Sequence, residues 1–303
     1  MRIKKVFFIT EDGVELCGLL HEPENRTEDI VIAVHGMQSN CLKKRDDIIA
    51  NKLTEQGISY FCFNNRGHDL VNNISQIHNT NKIKRLCGSC LENIEDSYYD
   101  IKAAILAMVE LGYKKVHLQG HSLGCTKIVY TYNKMKENNN LEIINKIKSV
   151  ILLSMVDIPN AMGFFFTGDK ENIIKYMQKE VNEGRGDTLI SSQNAIIPMS
   201  PNTFLKYLQN NTTIDFARYG DEEYSFPELN NIKVPLFMRW GNNNELIIQD
   251  ADKLILFLKD KIKNENLDIN FIDGSTHNYS GKEEILANQI LNFLDGVEKN
   301  RNI

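Results

Sequence analysis

The sequence predicts an α/β fold, with a mostly parallel central sheet, helices on both faces and a helical cap inserted late in the chain. Three observations carry this. Short runs rich in Val, Ile, Leu and Phe alternate with segments of helical spacing, the order that builds strand–helix–strand units. Several of these runs are apolar throughout, as strands buried on both faces are. One long segment between two such runs breaks the rhythm.

Taken in order, "KKVFFIT" and "VELCGLLHE" are strands separated by Glu11-Asp12-Gly13, a hairpin signal that adds an antiparallel edge. "DIVIAVHG" is a buried strand. A helix follows from about Lys43 to Gln56 and stops at Gly57, and "ISYFCFNNRG" is the next buried strand. Ile94, Tyr98, Ile101, Ile105, Met108 and Val109 share a helical stripe closed by Gly112. "KKVHLQG" is a strand, "LGCTKIVYTYNKMKE" a helix and "IKSVILLSM" a strand. "VPLFMRWG" and "LDINFIDG" are strands, each followed by a helix, near Asp250 to Lys263 and near Lys282 to Leu294.

The segment from Pro159 to about Pro227 is too long for a plain loop. Its Phe164-Phe165-Phe166 run and its Ile173/Tyr176/Met177 spacing favour an ordered cap over a disordered excursion. The expected organisation is core over 1–158, cap over 159–227 and core again over 228–303. No internal repeat interrupts it.

The 303 residues carry a net charge of −5, with 42% hydrophobic and 25% charged side chains. That is a globular composition, and without a basic stripe it argues against a nucleic-acid partner. The cluster Lys43-Lys44-Arg45 reads as a solvated helix face. No apolar run approaches the roughly 18 residues of a membrane span, and Val6–Ile9 is too short for a signal-peptide core. The six cysteines are scattered, which points to reduced thiols and a cytoplasmic protein. Cys87-Gly88-Ser89-Cys90 lacks the second pair that a metal or redox site would want.

"LQGHSLGCTK" places Ser122 between Gly120 and Gly124, at a turn from a buried strand into a helix. A strained strand-to-helix turn lifts a serine hydroxyl to the carboxyl edge of the sheet, where ligands bind. The competing reading is a glycine turn without chemistry. A serine nucleophile needs a base, and His277 lies in the loop between the last strand and the last helix, at that same edge. The other reading of His277 is a surface loop histidine. The oxyanion formed on attack needs backbone N–H donors. One is expected from Leu123, after the serine, and one from Met37, in the loop after "DIVIAV".

These residues resemble the α/β-hydrolase superfamily. The likeness rests on "VIAVHGM", "FNNRGHD", "LQGHSLG", "PLFMRWGNNNE" and "DGSTHNYSGKE", in that order, and covers nearly the whole chain apart from the cap. It is nearest to an esterase-like branch in which a histidine is followed by an aromatic residue and Gly-x-Glu, as in His277-Asn278-Tyr279-Ser280-Gly281-Lys282-Glu283. The resemblance implies an α/β-hydrolase fold and hydrolysis of a carboxylic ester or related acyl bond in a small molecule. It implies no metal or organic cofactor.

The pattern departs at the third catalytic member, usually an aspartate in Gly-x-x-Asp. Here Gly241-Asn242-Asn243-Asn244-Glu245 puts Asn244 at that position. Glu245 is the first candidate acid, being one residue later and longer. Asp157, after "LLSMV", is an alternative, and Asn244 orienting the histidine without a charge is another. A weak or inactive enzyme is the fourth reading. A thioesterase or acyltransferase using the same serine competes with the esterase, and a non-catalytic binding protein is the alternative outside enzymes. Substrate and oligomeric state are not legible.

Overall fold

In the computed structural model, residues 1–78, 81–190, 197–209, 214–243, 245–247 and 250–299 are described. The chain opens on the antiparallel hairpin β1 (Arg2–Ile9) and β2 (Glu15–Glu22), with Phe7 opposite Cys17. Then come β3 (Asp29–Val34), α1 (Lys44–Thr54) and β4 (Ser59–Asn64). A second hairpin, β5 (Asn72–His78) and β6 (Asn81–Cys87), precedes α2 (Ser97–Glu110) and β7 (Lys115–His121). After it follow α3 (Leu123–Glu137), α4 (Leu141–Ile144) and β8 (Ile147–Leu153). The segment after β8 holds α5 (Ile158–Ala161), α6 (Lys170–Asn182), α7 (Pro201–Leu208) and α8 (Pro227–Asn230). The chain closes with β9 (Leu236–Gly241), α9 (Ala251–Lys261), β10 (Leu267–Ile272) and α10 (Glu283–Lys299).

Among the described residues, eight strands form one sheet in the order β1-β2-β4-β3-β7-β8-β9-β10. From β4 to β10 the pairs are parallel, and β1 and β2 form the antiparallel edge. Successive side chains of a strand point to opposite faces, and β3 uses both. Ile30, Ile32 and Val34 pack with α2, α3 and α9, while Val31 and Ala33 pack with α1 and α10. This explains why "DIVIAV" has no polar alternation.

The strand order reverses between β3 and β7, so their following segments leave in opposite directions and open a crevice at the carboxyl edge. The loop after β3 and the turn at Ser122 both face that crevice.

The hairpin β5–β6 is an element that sequence reading does not provide. Its apolar residues Ile74, Ile77 and Ile83 are spread among Asn, Gln and Lys, and β6 is exposed along nearly all its length. It pairs with itself and touches the main sheet's hairpin through Val14 and Gln76. It buries Ile74, Ser75 and Cys87 and little else, so it has no regular hydrophobic alternation to detect.

The helices between β8 and β9 share an apolar cluster that includes Met162, Ile173, Met177, Phe204 and Leu208, packed with Leu123 beside the serine. Polar contacts tie α7 to the segment before α2. Thr203 donates to the Glu92 carbonyl at 3.0 Å, and the Tyr207 hydroxyl donates to the Glu92 carboxylate at 3.2 Å. Glu92 in turn pairs with Lys127 of α3 at 2.6 Å, both side chains being fully buried.

Candidate active site

Ser122 has φ 54° and ψ −124°, a left-handed conformation that a residue with a Cβ adopts only under constraint. The surroundings supply the constraint. Its N–H donates to Leu153 O of β8 at 2.8 Å, and its carbonyl accepts from Cys125 N at 2.9 Å as α3 begins. A Cβ on Gly120 would lie 2.6 Å from Gly124 O, and one on Gly124 would lie 2.2 Å from Val34 O. Only glycine lets strand, turn and helix approach this closely. A Cβ on Gly36 would come 2.9 Å from the Ser122 Cβ, so the loop after β3 passes directly over the serine.

His277 lies in the loop between β10 and α10. Its Nδ1 is 2.6 Å from Glu245 Oε2. A carboxylate oxygen can only accept, so Nδ1 carries the proton and Nε2 is left as the basic nitrogen. The Glu245 side chain is 2% exposed, and its other oxygen is also occupied. Oε1 accepts from Gly241 N at 3.0 Å and from Ser154 Oγ at 2.5 Å. The Tyr279 hydroxyl stands 2.9 Å from Ser154 Oγ and donates to Arg239 O at 2.8 Å. Burial and the Glu245 charge push the Tyr279 hydroxyl well above its ordinary value, so it stays protonated.

The asparagine run clasps the acid loop to the histidine loop. Asn242 accepts from Gly274 N at 2.7 Å and donates to Asp273 at 2.9 Å, and Asn243 N donates to Ser275 O at 2.9 Å. A Cβ on Gly241 would sit 2.2 Å from Ser275 O, so glycine is required where the two loops meet. From the other side, His121 Nε2 donates to the His277 carbonyl at 2.8 Å. Burial first, then the positive charge of Arg45, holds the His121 ring well below its ordinary value and hence neutral.

Ser122, His277, Met37 and Leu123 all line one cavity of about 570 Å³. Val156, Ile158, Ala161, Met162 and Leu246 form its apolar side, and Lys43, Lys44 and Arg45 line it from α1. The solvated-face reading of that cluster holds for Lys44, 77% exposed, and fails for Arg45, which is 7% exposed. Asp157 is engaged elsewhere. It caps α5, accepting from Asn160 N at 3.3 Å and Asn160 Nδ2 at 2.8 Å, and is not among the described partners of His277. Asn244 lies outside the described residues, as do the side chains of Phe164 and Phe165. Phe166 is not among the residues lining the cavity; it packs against Phe204 of α7, with ring centroids 6.1 Å apart.

Ser154, Tyr279 and His121 are site residues that sequence reading did not assign a task. Ser154 is the first residue after β8, and Tyr279 is the aromatic residue two positions after His277. Both, like Ser122 and Gln38, have positive φ without being glycine. Such strain gathers at functional sites, but a sequence does not display it. Among the described residues no group of three or more His, Cys, Asp or Glu could hold a metal ion, and Cys87 and Cys90 are buried free thiols.

The family model for lecithin:cholesterol acyltransferase matches residues 85–300, more than half of the chain. A comparison with curated proteins finds no match. Among solved structures, Est1E from Butyrivibrio proteoclasticus, with ferulic acid bound, superposes with a TM-score of 0.67 at 18% identity, covering 97% of this chain and 100% of that one. The esterase PF2001 of Pyrococcus furiosus gives 0.59 at 17% identity, covering 97% and 90%. The carboxylesterase CesB (YbfK) of Bacillus subtilis gives 0.55 at 14% identity, covering 98% and 93%. These likenesses show the fold. The family model, matched over more than half of the chain, shows that the chain belongs to the lecithin:cholesterol acyltransferase family, within the α/β-hydrolase superfamily, whose members are enzymes of the serine-hydrolase type.

Proposed function

We propose that the protein cleaves a carboxylic ester through an acyl-enzyme on Ser122, with His277 as general base and Glu245 as the acid behind it. The observation that carries this is the 2.6 Å contact between His277 Nδ1 and a buried Glu245 carboxylate, in a loop that shares a cavity with Ser122.

Ser122 Oγ bonds to the acyl carbon as its proton passes to His277 Nε2. The carbonyl oxygen becomes an oxyanion held by the N–H groups of Met37 and Leu123. The imidazolium is stabilised by Glu245 through Nδ1–H. His277 then protonates the leaving alkoxide as the ester C–O bond breaks. Water attacks the acyl-enzyme, losing a proton to His277, and the acid leaves as that proton returns to Ser122 Oγ. The non-catalytic reading rested on the missing aspartate, and the Glu245 contact supports the catalytic reading against it.

Acyl transfer is the second reading, favoured by the family match. It shares every step up to the acyl-enzyme and differs in using an alcohol as acceptor. We place the reaction in the cytoplasm, a setting that suits six free thiols of which five are buried.

Incubation with a fluorophosphonate probe is expected to label Ser122 in the folded protein, and the Ser122→Ala variant to take no label. An unlabelled wild type that turns over no p-nitrophenyl ester would sink the proposal. Adding a primary alcohol and analysing products separates the two readings, since transfer yields a new ester in place of the free acid.

A further inference from the structure

We infer that the α1 side of the cavity is an anion-binding subsite, formed by Lys43 and Arg45, that selects esters bearing a second, negatively charged group, a carboxylate or a phosphate. This rests on the ester chemistry proposed for Ser122 and specifies the substrate class for the same cavity.

Among the residues that line the cavity, the cations Lys43, Lys44 and Arg45 all stand on its α1 side, with one lining acid, Glu283. Lys44 pairs with Glu283 at 3.4 Å across the mouth. Arg45 gives Nε and Nη2 to Asp46, at 3.2 and 3.1 Å, while its Nη1 has no hydrogen bond among the described residues. Asp46 is shared in turn, since the Tyr60 hydroxyl donates to it at 3.0 Å. Lys43 is half-buried and makes no ion pair or side-chain hydrogen bond among the described residues. Opposite stands the apolar side formed by Val156, Ile158 and Met162.

A half-buried ammonium without a counter-ion is costly. Its position adds to the cost, because Lys43 is the cap residue of α1 and no side chain caps that helix end. The N-terminal end of a helix is already positive and disfavours cations. Asp46 and Asp47, one turn in, offset this only in part, and Asp46 is committed to Arg45. A ligand anion between Lys43 and Arg45 would meet two cations and the first N–H groups of α1 together. The field of these cations already reaches the site: after burial, Arg45 and then Lys43 contribute to holding His121 neutral. On a chain of net charge −5, a half-buried lysine with no ion pair among the described residues, placed on the wall of the candidate cavity, is a local feature with a local use.

A carboxylate and a phosphate would be recognised by the same cations. An ester with an apolar segment against the cap and an anion against α1 would fill both sides of a cavity whose volume suits such a molecule.

The test compares kcat/KM of the full-length protein for mono-p-nitrophenyl adipate and for p-nitrophenyl hexanoate. The wild type should prefer the anionic ester, and the ratio should fall about tenfold in Lys43→Gln, as expected when one cation of a charge-assisted contact is lost. Lys43→Arg should keep the ratio, which separates a lost charge from a damaged fold. Equal losses on both esters in Lys43→Gln would assign the cation to the oxyanion and overturn the subsite.

Calorimetric titration with heptanoate and with hexyl phosphate supplies an arm that needs no turnover. At least one should bind the wild type about tenfold more tightly than Lys43→Gln, and the tighter of the two identifies the natural anion. Equal affinity of both ligands for both proteins overturns the subsite. Absence of fluorophosphonate labelling and ester turnover overturns the proposed chemistry, while the titration still decides the anion site.

Discussion

Glu245 and Glu92 have equally buried side chains, each 2% exposed, and they are held in opposite ways. Glu92 meets a cation: Lys127, itself 0% exposed, lies 2.6 Å away, and Tyr207 of the insertion adds a hydrogen bond. Among the described residues Glu245 meets the Gly241 N–H, the Ser154 hydroxyl and the His277 ring, and no lysine or arginine. A carboxylate neutralised by a permanent cation is a structural fixture, since its charge is already answered. A carboxylate solvated by dipoles keeps its charge available for a cation that appears only during reaction, which in the mechanism proposed above is the imidazolium of His277. In both cases burial makes the partner obligatory. The difference lies in whether that partner is charged at rest.

The sharpest way to break this comparison is Glu245→Gln. An amide at the acid position of a triad costs about 10⁴ in turnover, so kcat for p-nitrophenyl butyrate should fall by about three to four orders of magnitude while the melting temperature changes little. A fall of less than tenfold would mean that the charge of Glu245 is not used. The counterpart is Lys127→Met, which strands Glu92 without its cation and should cost about 3–5 kcal/mol of stability in urea unfolding. Adding Glu92→Gln to it should recover much of that loss, and kcat of the folded fraction should suffer far less than in Glu245→Gln.

Ser154→Ala removes one neutral donor from Glu245. A hydrogen bond to a charged group contributes about 1.5–3 kcal/mol, so kcat should drop by at least about tenfold, with the deficit absent in Ser154→Thr if the hydroxyl is what matters. An unchanged kcat in Ser154→Ala would show that the donors are redundant.

The comparison also has a pH signature. His35 and His121 are buried and neutral, held well below the ordinary value of 6.5, by burial first and then by the charge of Lys127 and of Arg45 respectively. Their folded-state values lie below the unfolded ones, so stability is full above about pH 6.5. It is lost as pH falls from there, because the unfolded chain takes up protons that the folded chain refuses. Each ring contributes a slope of up to about 1.4 kcal/mol per pH unit, and His121→Asn should make the melting profile below pH 6.5 shallower. A profile identical to wild type would mean that His121 is already charged in the fold.

The smallest effect is expected from Asn242→Ala, which opens the clasp between the acid and histidine loops. Loss of one hydrogen bond from Gly274 N–H and one to the Asp273 carboxylate at an exposed position, about 0.5–1.5 kcal/mol, should appear as a severalfold rise in hydrogen exchange at residues 273–276 and a smaller change in kcat.

Most of the central sheet was legible because several parallel strands are runs apolar throughout and each long helix carries a stripe. The residues of α3 are those of the sequence "LGCTKIVYTYNKMKE" throughout, since Ser122 and Asn138 bound it on either side. The β5–β6 hairpin was not legible, because its few buried residues make no regular alternation. At the candidate site, the placement of Ser122 and His277 on one cavity was legible, because each lies in a segment that follows a sheet strand. The choice between Glu245 and Asp157 was not, because it depends on which loop turns back toward the histidine. That turn is set by Gly241, Asn242 and Asn243 meeting residues 273–275, thirty positions away in sequence. Ser154 and Tyr279 were hidden for the same reason, since they act on Glu245 from separate strands and loops.

The passage of Gly36 over Ser122 divides the cavity into two inheritances. Where a Cβ at residue 36 would lie 2.9 Å from the serine's own, no side chain can be tried without displacing the Met37 N–H that follows. Variation at that loop is closed to drift and to laboratory evolution alike. The walls formed by Lys43 to Arg45 and by Val156 to Met162 carry no such backbone approach, so substitutions there can change what the cavity accepts while leaving the Ser122 turn in place.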